Sequence, residues 1–171
     1  IHARAETGEP YMINIDTCND ALPKTQKDLG LKIRQSNLCS EITLPTDEER
    51  TAVCCLSSVN LEHFDDWSKD DNFIEDLITM LDNVLQHYID NAIDTTQLGD
   101  YSANFKRFQK YVREGKEGYT KSAYSAYRER SLGLGAMGFH AYLQSQNIPF
   151  EGIYATGFNH RAFTYIKTKA K

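Results

Sequence analysis

The stretch Ala52-Val53-Cys54-Cys55-Leu56-Ser57-Ser58-Val59 decides the fold class. It is a short, near-continuous run of small and apolar residues, which is typical of a strand buried on both faces in a parallel sheet or an α/β barrel. Downstream, apolar residues recur at intervals of three and four positions and predict a helix over about 72–90. A glycine-rich strand or turn that enters a helix is predicted over 130–146. Together these elements favour an α/β fold.

The remaining sequence gives weaker signals. Residues 11–15 are apolar and partly β-branched and predict a short strand, whereas the polar residues 23–30 predict a loop. A second helix is predicted within 100–114, where Lys106, Arg107, Lys110 and Arg113 fall at helical spacing among apolar residues.

Composition and charge exclude several classes of protein. With 171 residues, 40% hydrophobic and 25% charged, the chain can build a core and is neither disordered nor collagen-like. No apolar run approaches the roughly 18–20 residues of a membrane-spanning helix. The net charge of −5 divides unevenly, because residues 1–100 carry 7 Lys and Arg against 20 Asp and Glu, and residues 101–171 carry 12 against 4. A basic half could bind nucleic acid or phosphate, but an ordinary helical surface explains it better, so we expect no direct nucleic-acid contact.

The cysteines and the two chain ends add context. Cysteines occur at positions 18, 39, 54 and 55 without a C-x-x-C motif, and the five histidines are scattered, so no metal site is predicted. A reducing, cytoplasmic setting is the default and favours a catalytic role for any special cysteine. Because the chain begins at Ile1 without an initiator methionine, we expect it to be a piece of a longer protein.

Gly133-x-Gly135-x-x-Gly138 matches the dinucleotide-binding fingerprint by its letters. That fingerprint also requires a buried strand before it and an acidic residue about 20 positions after it. The preceding residues 128–131 are largely charged, and Glu151 comes too early. Close packing of a glycine-rich turn is therefore the favoured interpretation, with a nucleotide-binding module as an alternative.

Asn37-Leu38-Cys39-Ser40-Glu41 places an amide, a thiol and a carboxylate within five residues. If this segment is extended, alternation puts Asn37, Cys39 and Glu41 on one face. A carboxylate beside a thiol can act as a general base, and an amide can orient a hydroxyl group. The alternative, which spacing alone favours, is a small buried cysteine with two polar neighbours.

Four motifs occur in register along the chain. Ser36-Asn37-Leu38-Cys39-Ser40-Glu41-Ile42, with Leu44-Pro45-Thr46, resembles the active-site finger loop in the large, catalytic subunit of class I ribonucleotide reductases. The other three lie before and after it: Arg4-Ala5-Glu6-Thr7-Gly8 with Ile13 to Asn19, Cys54-x-Leu56-Ser57-x-x-Asn60-Leu61, and Arg130 to Gly135 with Gly138-Phe139. The resemblance covers most of residues 4–150. It implies that residues 1–171 are one partial domain of a ten-stranded α/β barrel, with its finger loop at about 34–46 and a buried strand at 52–59.

The resemblance also implies roles for individual residues. Cys39 would carry the thiyl radical that abstracts the 3′-hydrogen of the ribose, Glu41 would take the proton of the 3′-hydroxyl, and Asn37 would orient the substrate hydroxyls. Leu38 and Ser40 complete the substrate-binding segment. Cys54 would be one of two thiols that reduce the 2′ position, with its partner upstream of Ile1. No catalytic role is implied for Cys18 or Cys55.

Partners and cofactors follow from the same resemblance. It implies a ribonucleoside diphosphate substrate, a radical-generating small subunit that contains metal, thioredoxin or glutaredoxin as reductant, and a homodimer of large subunits. It implies no cofactor bound by this segment, and ATP/dNTP effector sites that lie outside it. Alone, the segment is expected to be inactive. The alternative is a non-catalytic α/β scaffold that kept the barrel strands and lost the chemistry.

Overall fold

The structure, a computed structural model, describes residues 1–92 and 120–171, which belong to two compact units. The first unit comprises Ile1–Val53 and Ala92–Arg128, and the second comprises Cys54–Asn91 and Glu129–Lys171. The helix predicted within 100–114 lies outside the described residues. The assignment of residues 1–171 to one barrel domain stays a prediction. Within the described ranges, no helix is long and apolar enough to cross a membrane.

The described helices and strands are numbered in chain order. They are α1 (His2–Thr7), α2 (Ile15–Asp20), α3 (Lys24–Asp28), β1 (Cys55–Asn60), a 3₁₀ turn (Leu61–His63), α4 (Phe64–Trp67), α5 (Phe73–Asn91), α6 (Lys121–Glu129), β2 (Leu132–Met137), α7 (Phe139–Ser145) and α8 (Ile153–Lys169). Strand β1 pairs with β2 in parallel, from Cys55 opposite Leu132 to Asn60 opposite Met137. Helix α5, which was predicted at about 72–90 from its apolar spacing, packs against both strands.

Only one face of this two-stranded sheet is covered by helices in the second unit. Val59 is buried in the core, and Leu134 and Ala136 pack against it. On the other face, Leu56 is 54% exposed and Met137 is 58% exposed. The predicted strand at 52–59 is observed at Cys55–Asn60, and helices pack on one of its faces. In the α/β barrel that the resemblance implies, helices surround the strands and the other face turns towards the barrel interior, so burial on both faces stays a prediction.

Aromatic stacking and a polar network hold α8 to the rest of the second unit. The Tyr142 ring stacks on Phe158 with 3.7 Å between ring centroids. The Tyr142 hydroxyl donates a hydrogen bond to Asp65 at 3.0 Å and accepts one from Arg161 at 2.8 Å.

A second network connects α5 to the residues just before β2. The Arg130 guanidinium donates two hydrogen bonds to the Asp82 carboxylate, at 2.6 and 3.0 Å.

Gly138 makes the turn from β2 into α7 in a conformation that side chains disfavour. Its φ angle is +75°, in the left-handed region. A Cβ at this position would contact Oδ1 of Asn60 and would lie 3.0 Å from the backbone nitrogen of Glu62. The Asn60 side chain cannot easily retreat, because it accepts a hydrogen bond from that same nitrogen at 3.1 Å.

We expect Gly138→Ala to lower the free energy of unfolding by about 1–3 kcal/mol, because it adds both backbone strain and a steric clash. The matched control is Gly157→Ala within α8, where a Cβ has nothing within 4 Å. That change should raise the free energy of unfolding by about 0.5–1 kcal/mol, because alanine favours helix. Chemical denaturation measures both values, and effects of the same sign would contradict the assigned turn geometry.

Two predictions for the first unit, a strand at 11–15 and a loop at 23–30, differ from the structure. Residues 11–14 form no strand, and α2 begins at Ile15. A β-branched segment forms a strand only beside a pairing partner, and here the Asn19 side chain bonds instead to the carbonyl of Ile15 and to both backbone groups of Ile33, all at 2.9 Å. The predicted loop 23–30 contains the short helix α3, which is supported by an ion pair of 2.7 Å between Lys24 and Asp28.

Candidate active site

The segment with the thiol, amide and carboxylate is a loop with a fixed base. An antiparallel bridge joins Ile33 to Pro45, and both residues are buried. The Thr46 backbone nitrogen donates to the Lys32 carbonyl at 3.3 Å, and the Arg34 side chain donates to the Thr46 carbonyl at 3.2 Å. These contacts close the loop below its tip, so the residues between them project from a defined base.

The tip of the loop is a tight turn rather than an extended segment. The Ser40 backbone nitrogen donates to the Asn37 carbonyl at 3.1 Å, and Ser40 has a φ of 64°. The expected alternation of Asn37, Cys39 and Glu41 along a strand is therefore wrong, because the chain reverses at Ser40. Leu38 and Cys39 occupy the centre of the turn, where Leu38 is 93% exposed and the Cys39 thiol side chain is also exposed.

The turn brings Asn37 and Glu41 together. The Asn37 amide nitrogen donates to Oε1 of Glu41 at 2.6 Å, a short bond of the kind that a charged acceptor makes. The amide oxygen of Asn37 accepts from the Ile42 backbone nitrogen at 3.1 Å. Ser36, to which the sequence motif assigns no separate role, donates its hydroxyl to the Ile42 carbonyl at 2.6 Å. The amide thus orients the carboxylate, and the loop backbone in turn orients the amide.

This arrangement presents two reactive groups on one turn. Cys39 offers a thiol at the tip, and Glu41 offers a carboxylate two residues later. Since Oε1 of Glu41 takes the bond from Asn37, the other oxygen can accept a proton from a bound hydroxyl group. Among the described residues, no cluster of three or more His, Cys, Asp or Glu could hold a metal ion.

Cys54 lies in the second unit, immediately before β1. Alternation puts its side chain on the face of Leu56, the face that helices leave uncovered, whereas Cys55 points to the opposite face. Burial raises the pKa of the Cys54 thiol, and the neighbouring Cys55 raises it further. Burial also raises the pKa of Cys55. Both thiols are free and are held in the protonated form through neutral pH, which suits a hydrogen donor better than a nucleophile.

The glycines of the apparent dinucleotide fingerprint serve strand packing. A nucleotide cradle needs these glycines in the turn after a strand, but Gly133 and Gly135 lie inside β2 and only Gly138 lies in the turn. A Cβ on Gly133 would contact the Leu56 side chain, and one on Gly135 would lie 3.0 Å from the Ser58 hydroxyl. The nucleotide-module alternative for this motif is therefore wrong.

Comparison with known proteins identifies the family. The family described as ribonucleotide reductase, barrel domain, matches residues 1–171. The chain belongs to the ribonucleotide reductase barrel-domain family. Its sequence is 48% identical over 168 residues to the ribonucleoside-diphosphate reductase large subunit of Invertebrate iridescent virus 3, covering 98% of this chain and 23% of that protein. It is 34% identical over 154 residues to the alpha subunit from Chlamydia muridarum, covering 90% of this chain and 12% of that protein.

A solved structure supports the same assignment. The Actinobacillus ureae class Id ribonucleotide reductase alpha subunit matches with a TM-score of 0.77 and 32% identity, covering 99% of this chain and 28% of that one. These findings confirm the predicted fold class, part of an α/β barrel. The chain therefore represents one segment of a ribonucleotide reductase large subunit and spans about a quarter of the viral relative's length.

Proposed function

We propose that this segment supplies the finger loop and one reducing thiol to a class I ribonucleotide reductase. The complete enzyme would reduce ribonucleoside diphosphates to deoxyribonucleoside diphosphates for DNA synthesis. The observation that carries the proposal is the turn of Asn37 to Glu41, where a 2.6 Å bond fixes the carboxylate two residues after an exposed cysteine. Family membership supplies the reaction for which such a turn is suited.

Each residue has a defined task in this proposal. A radical on the Cys39 sulfur abstracts the 3′-hydrogen atom of the ribose and becomes a thiol. Glu41 takes the proton of the 3′-hydroxyl, and Asn37 holds both the carboxylate and the substrate hydroxyls in place. Leu38 and Ser40 shape the turn that contacts the substrate. Inside a closed barrel, water and oxidants are excluded from the radical.

The reduction itself consumes two thiols. The C2′–O bond breaks, the hydroxyl leaves as water, and two hydrogens of the thiols supply the two electrons and two protons. Cys54 and a second thiol of the complete barrel end as a disulfide. Thioredoxin or glutaredoxin then restores both thiols by disulfide exchange. The metal-containing small subunit supplies the radical, and two large subunits form the homodimer.

The first experiment joins this segment to its natural flanking sequence. The full-length subunit is combined with the small subunit and a dithiol, and conversion of a ribonucleoside diphosphate is measured by chromatography. Formation of the deoxyribonucleotide supports the proposal. An assembled, radical-containing complex that converts none of the four common ribonucleoside diphosphates contradicts it and favours the non-catalytic scaffold.

In the same assay we expect Glu41→Gln to reduce turnover by about 10²–10⁴-fold, the usual contribution of a general base. Glutamine can still accept the bond from the Asn37 amide, so the turn keeps its shape while the proton acceptor is lost. The control is Glu48→Gln, a change at an exposed acid seven residues later, which should retain wild-type turnover. Equal turnover of the two variants would remove Glu41 from the mechanism.

A further inference from the structure

We propose that Gly133 is a positioning residue that keeps open the space in which the Cys54 thiol reorients during disulfide formation. This inference rests on the proposed function of Cys54 as a reducing thiol. Gly133 is the first glycine of the motif that matches the dinucleotide-binding fingerprint by its letters. The inference gives this glycine a different task.

Strand pairing brings Gly133 close to Cys54. Gly133 lies opposite Leu56 in the parallel register of β1 and β2. Cys54 precedes Leu56 by two residues, so its side chain lies on the same face. A Cβ on Gly133 would be 3.3 Å from the Cys54 sulfur and in direct contact with the end of the Leu56 side chain.

The two contacts differ in how easily they are relieved. The contact with Leu56 is made by Cδ2, the end of a flexible side chain, which can change rotamer at little cost. The Cys54 sulfur is half-buried and lies 3.7 Å from the Cys55 carbonyl oxygen. An added methyl group at Gly133 would therefore restrict the thiol more than the leucine.

Disulfide formation requires the thiol to move. The bond needs a sulfur–sulfur distance of about 2.05 Å and a dihedral angle near 90°, a geometry that a reduced pair does not hold. In this step two S–H bonds break, one S–S bond forms, and the two electrons and two protons pass to the substrate as its C2′–O bond breaks. Abstraction of the 3′-hydrogen by Cys39 does not require movement of Cys54. Gly133 should therefore affect the reduction step alone.

The test compares Gly133→Ala with Gly135→Ala in the full-length subunit assembled with its small subunit. Gly135 lies two residues further along the same strand face, where a Cβ would approach the Ser58 hydroxyl at 3.0 Å instead of a thiol. We expect Gly133→Ala to lower kcat by about tenfold at constant KM, the effect of forcing one side chain away from its preferred rotamer. Alkylation of Cys54 by iodoacetamide, followed by peptide mass spectrometry, should slow by a similar factor. Gly135→Ala should change both rates by less than about twofold, because its new methyl group does not meet Cys54.

The same change in a Leu56→Ala variant separates the effect of Gly133 on the Cys54 thiol from its effect on packing against Leu56. Leu56→Ala removes the contact with the leucine, so the double variant Leu56→Ala/Gly133→Ala should fold even if Gly133→Ala does not. We expect the double variant to have the thermal stability of Leu56→Ala but to keep the slow alkylation of Cys54. Alkylation at the Leu56→Ala rate, or equal losses in Gly133→Ala and Gly135→Ala, would overturn the inference. The alkylation measurement does not depend on turnover, so it gives a result even if the proposed reaction fails.

Discussion

A full-length subunit with Cys39→Ser is expected to lose ribonucleoside diphosphate reduction by at least about four orders of magnitude, as when a residue that forms the reactive centre is removed. Serine has nearly the size of cysteine, and the hydrogen bonds that hold the turn run through Asn37, Ser40 and Glu41. The fold of the loop should therefore survive. The chemistry should not, because an O–H bond is much stronger than an S–H bond and serine cannot hold the radical at an accessible energy.

The control for this change is Cys18→Ser. Cys18 is half-buried in α2 and has no role in the proposed reaction. Its variant should retain turnover within about threefold of wild type, because conservative changes outside a site act mainly on stability. Deoxyribonucleotide formation, normalised to assembled complex, measures both variants. Substantial turnover by Cys39→Ser would exclude Cys39 as the radical residue.

The second large effect concerns the adjacent cysteines of the second unit. Cys54→Ser should abolish formation of deoxyribonucleotide, by at least about three orders of magnitude, because one of the two hydrogen donors is lost. Cys55→Ser should leave turnover within about twofold, since its side chain lies on the opposite face of the strand, towards the helices. The comparison is well controlled because both variants replace one cysteine by serine, at adjacent positions.

Two outcomes of that comparison would contradict the assignment. If Cys55→Ser lost turnover and Cys54→Ser retained it, the side chain of Cys55, and not that of Cys54, would face the barrel interior. If both variants retained turnover, neither thiol would reduce the substrate. Quantification of the disulfide by differential alkylation in a single turnover shows which sulfur is oxidised.

The sequence predicts helix α5 of the second unit well because burial is periodic there, whereas it gives no prediction for α8. In α5, Ile74, Leu81, Leu85 and Ile89 are buried, and their spacing of one or two helical turns is visible in the sequence. The prediction of a strand at 11–15 is wrong because strand formation depends on a pairing partner that the local sequence does not reveal. The burial of β1 on both faces stays a prediction, since it depends on what covers the face that the helices of the second unit leave open.

The candidate site was predictable by residue type but not by geometry. The identities of Asn37, Cys39 and Glu41 indicate the family. The turn that brings Asn37 to Glu41, however, depends on the positive φ of Ser40. Serine rarely adopts that conformation, so no local rule predicts it. The proximity of Gly133 to Cys54 depends on strand register, which spacing along the chain cannot supply.

The central claim, that Cys39 removes the 3′-hydrogen of a ribonucleotide, is tested most directly by an isotope effect. The assembled enzyme receives an equal mixture of unlabelled and 3′-deuterated ribonucleoside diphosphate, and mass spectrometry follows the ratio in the remaining substrate. The account predicts that the unlabelled substrate is consumed faster, whereas a 5′-deuterated substrate shows no such preference. Equal consumption of the 3′-deuterated and unlabelled substrates by an active enzyme would contradict it.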